Sequence, residues 1–182
     1  MFNLSLFEIN QKNLLLNAND PIDVNLLIER GAQRSRGLEI EASGFILPNW
    51  QFNLGYSYTD AIIKQDNDIT LIGQRVQNTP KHSGSIWTRY DLKQSRLFNG
   101  IGFGTGVQYS GDKLPLYIRN FTLPAYTIVD AAIYYAPSKT KVQLAMNINN
   151  VFNSTYWVGA QNYLRLFPGT PRNIMFNVTY RF

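Results

Sequence analysis

The sequence predicts an all-β fold: an antiparallel, up-and-down transmembrane β-barrel segment of about eight strands. Three observations point there. Apolar and polar residues alternate with period two over stretches of about ten to thirteen residues. The connections between those stretches are alternately long and short. The 182 residues are rich in aromatics (14%) and carry only 16% charged residues, against a usual ~25%. No apolar run approaches the ~18 residues of a spanning helix. A mean hydropathy of −0.21 suits strands that keep one face in water.

The strands follow in order. Residues 1–12 form the first, with imperfect alternation: Phe2, Leu4 and Leu6 share one parity, Phe7 and Ile9 the other. A loop is expected over 13–33, punctuated by Asn17, Asn19, Asp20 and Pro21. The second strand, 34–45, sets Leu38, Ile40 and Ala42 against Glu39 and Glu41. Leu47-Pro48-Asn49 turns the chain into the third, 50–62, where Trp50, Phe52, Leu54, Tyr56 and Tyr58 oppose Gln51, Asn53, Gly55, Ser57 and Thr59. After a polar loop over 63–80, the fourth strand (81–92) carries Ile86, Thr88 and Tyr90 on one face and Trp87, Arg89 and Asp91 on the other. A short polar link over 93–99 leads to the fifth, 100–110, which opposes Ile101, Phe103 and Val107 to Gly102, Gly104 and Gly106. A long loop (111–124), the sixth strand (125–136), a tight turn (137–139), the seventh strand (140–149) and an aromatic-rich loop (150–171) follow. The last strand, 172–182, alternates Ile174, Phe176, Val178, Tyr180 and Phe182 with Asn173, Met175, Asn177, Thr179 and Arg181.

Antiparallel strands joined in sequence place every second connection on the same edge. The long loops therefore share one rim and the short turns the other, the asymmetry of outer-membrane barrels, whose loops are extracellular and whose turns are periplasmic. The apolar faces carry no Asp, Glu or Lys through their middles. The opposite faces carry Glu39, Glu41, Arg89, Asp91, Asp130 and Arg181, which need water or partners; Glu39, Glu41, Asp130 and Arg181 are expected to pair with opposite charges on neighbouring strands in a lumen. Two other readings share these strands. One is a self-contained eight-stranded outer-membrane barrel with a structural or adhesive role, its lumen narrow enough for Gly102, Gly104 and Gly106. The other is a soluble lipocalin-like ligand-binding barrel with the apolar faces turned inward.

A resemblance then sets these readings in order. Arg34-Ser35-Arg36-Gly37-Leu38-Glu39-Ile40-Glu41, Trp50, Gly55 to Ala61, Asn78-Thr79-Pro80-Lys81-His82, Leu123 to Asp130, Asn147 to Asn153 with Tyr156, and Gly169-Thr170-Pro171-Arg172 leading to Tyr180-Arg181-Phe182 stand in one order. In that order they resemble the C-terminal part of a TonB-dependent outer-membrane receptor, nearest the ferric-siderophore receptors. The resemblance covers residues 34–182 and implies a barrel wall around a plug. Barrels of this kind have about 22 strands. The N-terminal stretch MFNLSLFEINQK has neither a basic region nor a continuous apolar one, so it is not a signal peptide. We therefore expect residues 1–182 to be a barrel fragment without signal peptide, plug or early strands, located in the outer membrane of a Gram-negative bacterium and not transport-competent alone.

The resemblance also implies where a ligand sits. The family's receptors take anionic or neutral iron complexes on aromatic-lined surfaces, to which Arg beside Tyr or Trp is suited. The candidates are Tyr117 and Arg119 in one extracellular loop, and Tyr156, Trp157, Tyr163 and Arg165 in another. Aromatic-girdle and loop packing is the competing reading for each. Tyr180 and Phe182 on the closing strand are the expected signal for the outer-membrane barrel assembly machinery. The partners implied are outer-membrane lipid, a ferric siderophore in an intact receptor, and a TonB-type energy-coupling system reached only through the N-terminal part.

Catalysis is not expected, and neither is a cofactor or resident metal. His82 is the only histidine, and Ser83 beside it points to the opposite face. Zero cysteines exclude disulfides and thiolate metal sites. The net charge of +5 is scattered, with no cluster beyond Arg30, Arg34 and Arg36, so nucleic acid is not an expected partner.

Overall fold

The computed structural model describes residues 1–18, 20–23, 25–92, 100–116, 120–137 and 140–182. They form β1 (Phe2–Asn17), β2 (Leu27–Leu47), β3 (Trp50–Gln65), β4 (His82–Asp91), β5 (Ile101–Ser110), β6 (Tyr126–Tyr135), β7 (Val142–Asn149), β8 (Trp157–Asn162), β9 (Arg165–Pro168) and β10 (Asn173–Tyr180). Eight of them build one antiparallel meander in the order β1-β2-β3-β4-β5-β6-β7-β10. The remaining two, β8 and β9, pair with each other as a separate ribbon. No described helix is long and apolar enough to cross a membrane.

The register explains the face chemistry. Cross-strand neighbours Phe2, Ala42, Leu54, Ile86, Val107 and Val129 form one transverse row. Trp50, Tyr90, Phe103, Ile133, Met146 and Phe176 form another nearer the short turns. A one-residue slip would turn both rows over, so the pattern pins the register. Nothing described covers this face: Leu6 is 80% exposed, Phe176 75% and Val178 72%. A soluble barrel would bury these side chains, whereas lipid accepts them.

The apolar band has two aromatic borders. Tyr56, Tyr58 and Tyr109 lie toward the long loops; Trp50, Tyr90, Tyr135 and Tyr180 lie toward the short turns. From Trp50 to Tyr58 the chain rises about 26 Å. At a tilt near 40° this is about 20 Å along the membrane normal, close to the ~25 Å band of outer-membrane barrels. Beyond the upper border the same face becomes charged. Glu8, Arg36 and Asp60 are cross-strand neighbours, and Asp60 Oδ2 lies 3.2 Å from Arg36 Nε and 3.5 Å from Arg34 Nη2. His82 sits at that border on the outer face, 2.8 Å from the Tyr56 hydroxyl.

Several expectations are corrected. The loop expected over 13–33 is mostly strand: β1 runs to Asn17 and β2 begins at Leu27. Asn13 supplies the left-handed residue (φ 57°) of a bulge that lets pairing continue above the membrane band. The loop expected over 150–171 contains the β8–β9 ribbon. The polar-face carboxylates Glu39, Glu41 and Asp130 are not paired as expected. Among the described residues neither Glu39 nor Glu41 has a cationic partner, and Glu41 only accepts a long 3.4 Å bond from Asn3 Nδ2. Asp130 accepts from Gln108 Nε2 and from the Asn150 backbone instead. The link over 93–99 lies outside the described residues.

The glycine stripe of β5 does not line open space. The Trp87 indole lies against Gly104 and Gly106, and Asp91 lies against Gly102. Arg89 is held between Asp91 (2.9 Å) and the face of Tyr134 (3.9 Å to the ring centroid). Large side chains of one strand thus lie flat over the bare backbone of the next. Finally, the sheet is open: β1 pairs only with β2, and β10 only with β7. The self-contained barrel would need β1 on β10, which the register does not provide.

Candidate functional site

The loops on the long-loop rim are built by asparagines in backbone conformations that other residues resist. Asn78, Asn150 and Asn153 all have φ near +52°, a left-handed state that Asn tolerates because its short amide can bond locally. Asn150 is 2% exposed. Its Nδ2 donates to the carbonyls of Ser154 (2.9 Å) and Thr170 (3.2 Å), while Oδ1 accepts from Ser154 N (2.8 Å). Asn153 Oδ1 accepts from Arg172 N at 3.0 Å. Together they fold residues 150–156 back and aim the chain into β8.

Three loops meet above the sheet. Arg75 donates to Asp112 Oδ2 at 2.6 Å, joining loop 66–81 to loop 111–125. This hydrogen bond holds the Asp112 carboxyl below its ordinary value. Lys113 and Leu123 exchange backbone bonds at 3.1 and 2.9 Å, closing the neck of loop 111–125 over a Leu123 that is 2% exposed. Asn78 then reaches the ribbon: its Nδ2 donates to Ala160 O at 3.1 Å and its Oδ1 accepts from Ala160 N at 2.9 Å. Leu116 N donates to the same carbonyl at 3.0 Å. Lys113 Nζ donates to Val158 O at 2.9 Å and lies 5.0 Å from the Tyr126 ring centroid. Burial lowers the Lys113 pKa from its ordinary value, because the ammonium has lost water without gaining a carboxylate.

Four of the six candidate ligand residues fall on one ribbon. Tyr156, at its base, is a packing residue: its ring lies 4.6 Å from that of Tyr126 and rests on Gly169. Trp157 is half-buried opposite Pro168. Tyr163 and Arg165 stand exposed at the tip, where Asn162 Oδ1 accepts from the backbones of Leu164 and Arg165 and shapes the turn. Arg165 Nη1 donates to Gln161 Oε1 at 3.2 Å. Tyr117 and Arg119 lie outside the described residues. Tyr180 and Phe182 stack edge to face at 5.2 Å on the exposed side of β10. Asn78, Lys113 and Asn150, which assemble the rim, escape a reading by face and charge, because their partners are backbone atoms.

The polar face offers two adjoining hollows of about 550 and 470 Å³, which share Glu41, Gly55, Ser85 and Gln108. Among the described residues no group of three His, Cys, Asp or Glu side chains could hold a metal ion.

The family model "TonB dependent receptor-like, beta-barrel" matches residues 1–151. The metal-pseudopaline receptor CntO of Pseudomonas aeruginosa (strain UCBPP-PA14) is 32% identical over 180 residues, covering 98% of this chain and 25% of CntO. The ferrichrome outer membrane transporter/phage receptor of Escherichia coli K12 is 31% identical over 166 residues, covering 90% of this chain and 22% of the transporter. The siderophore receptor PiuA from Acinetobacter baumannii superposes with a TM-score of 0.81 at 22% identity, covering 98% of this chain and 26% of PiuA, and so shares the fold. The chain thus spans about a quarter of the length of these relatives.

Proposed function

The chain belongs to the TonB-dependent receptor family, matching its β-barrel, and from that premise we propose that residues 1–182 form part of the wall and extracellular vestibule of an outer-membrane receptor for metal–siderophore complexes. The open sheet carries the reading: it has a lipid-facing apolar side, a polar side with uncommitted carboxylates, and two unpaired edges. Such edges cannot face hydrocarbon, where each unpaired backbone group costs several kcal/mol. Further strands of the same barrel would flank β1 and β10.

Arg165 and Tyr163 at the ribbon tip, with Tyr117 and Arg119 of the neighbouring loop, would contact the anionic chelate, and Trp157 would back them. Tyr156 serves them from beneath. The lumen carboxylates Glu39 and Glu41 would meet cationic groups of a plug. The energy-coupling partner would act through that plug, not through this segment, so the segment alone would not transport. Tyr180 and Phe182 would present the aromatic strand β10 to the assembly machinery. The role is binding and conduction rather than catalysis.

The test is uptake. A strain lacking the full-length gene is compared with its parent on a panel of ferric hydroxamate, catecholate and mixed complexes. Non-ferric metal chelates are included, because the relatives' names differ in cargo. Loss of one class in the mutant, with weaker binding of that class on Arg165→Ala, is the expected result. Undiminished uptake of every class would overturn the reading.

A further inference from the structure

We propose that Asn78 and Lys113 are positioning residues that clasp the β8–β9 ribbon to loop 66–81 and to the neck of loop 111–125, so that the ribbon presents Tyr163 and Arg165 on one preformed surface. The proposal rests on the receptor reading only for what that surface binds. The clasp itself stands on geometry.

Three consecutive residues of β8 are held from outside the ribbon. Val158 O accepts from Lys113 Nζ. Gly159 is approached so closely that a β-carbon there would lie 3.1 Å from Asn78 Oδ1. Ala160, 0% exposed, has its N–H and C=O both bonded to the Asn78 amide, and its C=O also accepts from Leu116 N. The Asn78 side chain thus replaces a strand neighbour across 82 residues of sequence. Asn78 N donates to Leu114 O at 2.8 Å, so the residue that holds the ribbon also holds loop 111–125.

Lys113 completes the junction from the other side. Lys113 is 6% exposed, and no carboxylate among the described residues pairs with it. Its neighbour Asp112 is engaged by Arg75. A buried ammonium persists only where its protons are taken up, and here the acceptors are a ribbon carbonyl and the Tyr126 ring face. That ring also stacks on Tyr156, the residue that leads into β8. Moving the ribbon would break its bonds to Asn78, Lys113 and Leu116 together, so the ribbon and the neck of loop 111–125 move as one or not at all.

The absence of cysteine from these residues makes the test clean. Spin labels are placed at Leu164→Cys, 77% exposed on the ribbon tip, and Ile69→Cys, 80% exposed on loop 66–81, in the full-length protein in outer membranes. A second pair, Ile69→Cys with Phe45→Cys, reports the barrel itself. Pulsed dipolar spectroscopy should give a narrow 69–164 distance distribution. Asn78→Ala and Lys113→Met should each broaden it by about twofold, Lys113→Arg should restore it, and the 69–45 distribution should not change. Asn78→Asp, which keeps the acceptor for Ala160 N, carries the test if either variant fails to fold. An unchanged 69–164 width in these variants would overturn the proposal. So would equal broadening of both pairs, which would mark a general loss of structure. No ligand enters the measurement, so its outcome is independent of the uptake assay.

Discussion

At Gly169 a β-carbon would overlap the ring of Tyr156, and that ring is also fixed by Tyr126. Gly169→Ala should therefore destabilise the protein by about 1–3 kcal/mol, the usual cost of overpacking. In a Tyr156→Ala background the penalty should largely vanish, and a double-mutant cycle by denaturant titration measures that coupling. Asp112 makes a different kind of prediction. Its folded pKa lies below the ordinary 3.8 because Arg75 bonds the charged form. The stability it contributes is therefore present above 3.8 and is lost as pH falls through the lowered value. Asp112 is 51% exposed, so the effect should stay under about 1 kcal/mol. Thermal unfolding of Asp112→Asn against the parent should show a small deficit at neutral pH that closes in strong acid.

Among the elements, β5 separates the two faces most cleanly. Val107 lies in the middle outer row, and Gln108, next to it, points to the polar side and donates to Asp130 at 2.9 Å. Arginine at the two positions should behave oppositely. Val107→Arg places a charge in hydrocarbon and should cost about 2–4 kcal/mol. Gln108→Arg meets water and the Asp130 carboxylate and should be nearly neutral. Denaturant unfolding from lipid vesicles measures both, and similar losses would mean that the faces are assigned wrongly. The ribbon behaves differently from the sheet strands. Its six- and four-residue strands are too short to be stable alone. Its order derives from Asn78, Lys113 and Leu116, which belong to other loops.

For the whole molecule the deciding feature is the open sheet. Eight strands could in principle form a small barrel, but β1 and β10 face away from any described partner. Isolated residues 1–182, refolded into detergent, should therefore lack the heat-modifiable migration of a closed barrel and should aggregate through their edges. A disulfide forming readily between cysteines placed in β1 and β10 of the isolated chain would contradict this. The polar hollows beside Glu39 and Glu41 lie on the face opposite the apolar band.

Residue order alone determined the eight sheet strands, which face of each is apolar, the rim that carries the long loops and the family. The strands and faces follow from period two, which is local: each residue's face depends only on its position along its own strand, as in Trp50 to Tyr58. The rim follows from the alternating loop lengths, and the family from motifs standing in one order. The same reading missed the upward extension of β1 and β2, because Leu14 to Leu16 and Leu27 to Ile28 pair across a bulge that breaks the alternation. It missed the β8–β9 ribbon and the clasp for a deeper reason. Nothing near Asn78 in sequence indicates Ala160, and nothing near Lys113 indicates Val158. Only the register of the four strands between Asn78 and the ribbon brings those loops above one rim, and only there do an amide and a buried ammonium find backbone atoms to hold.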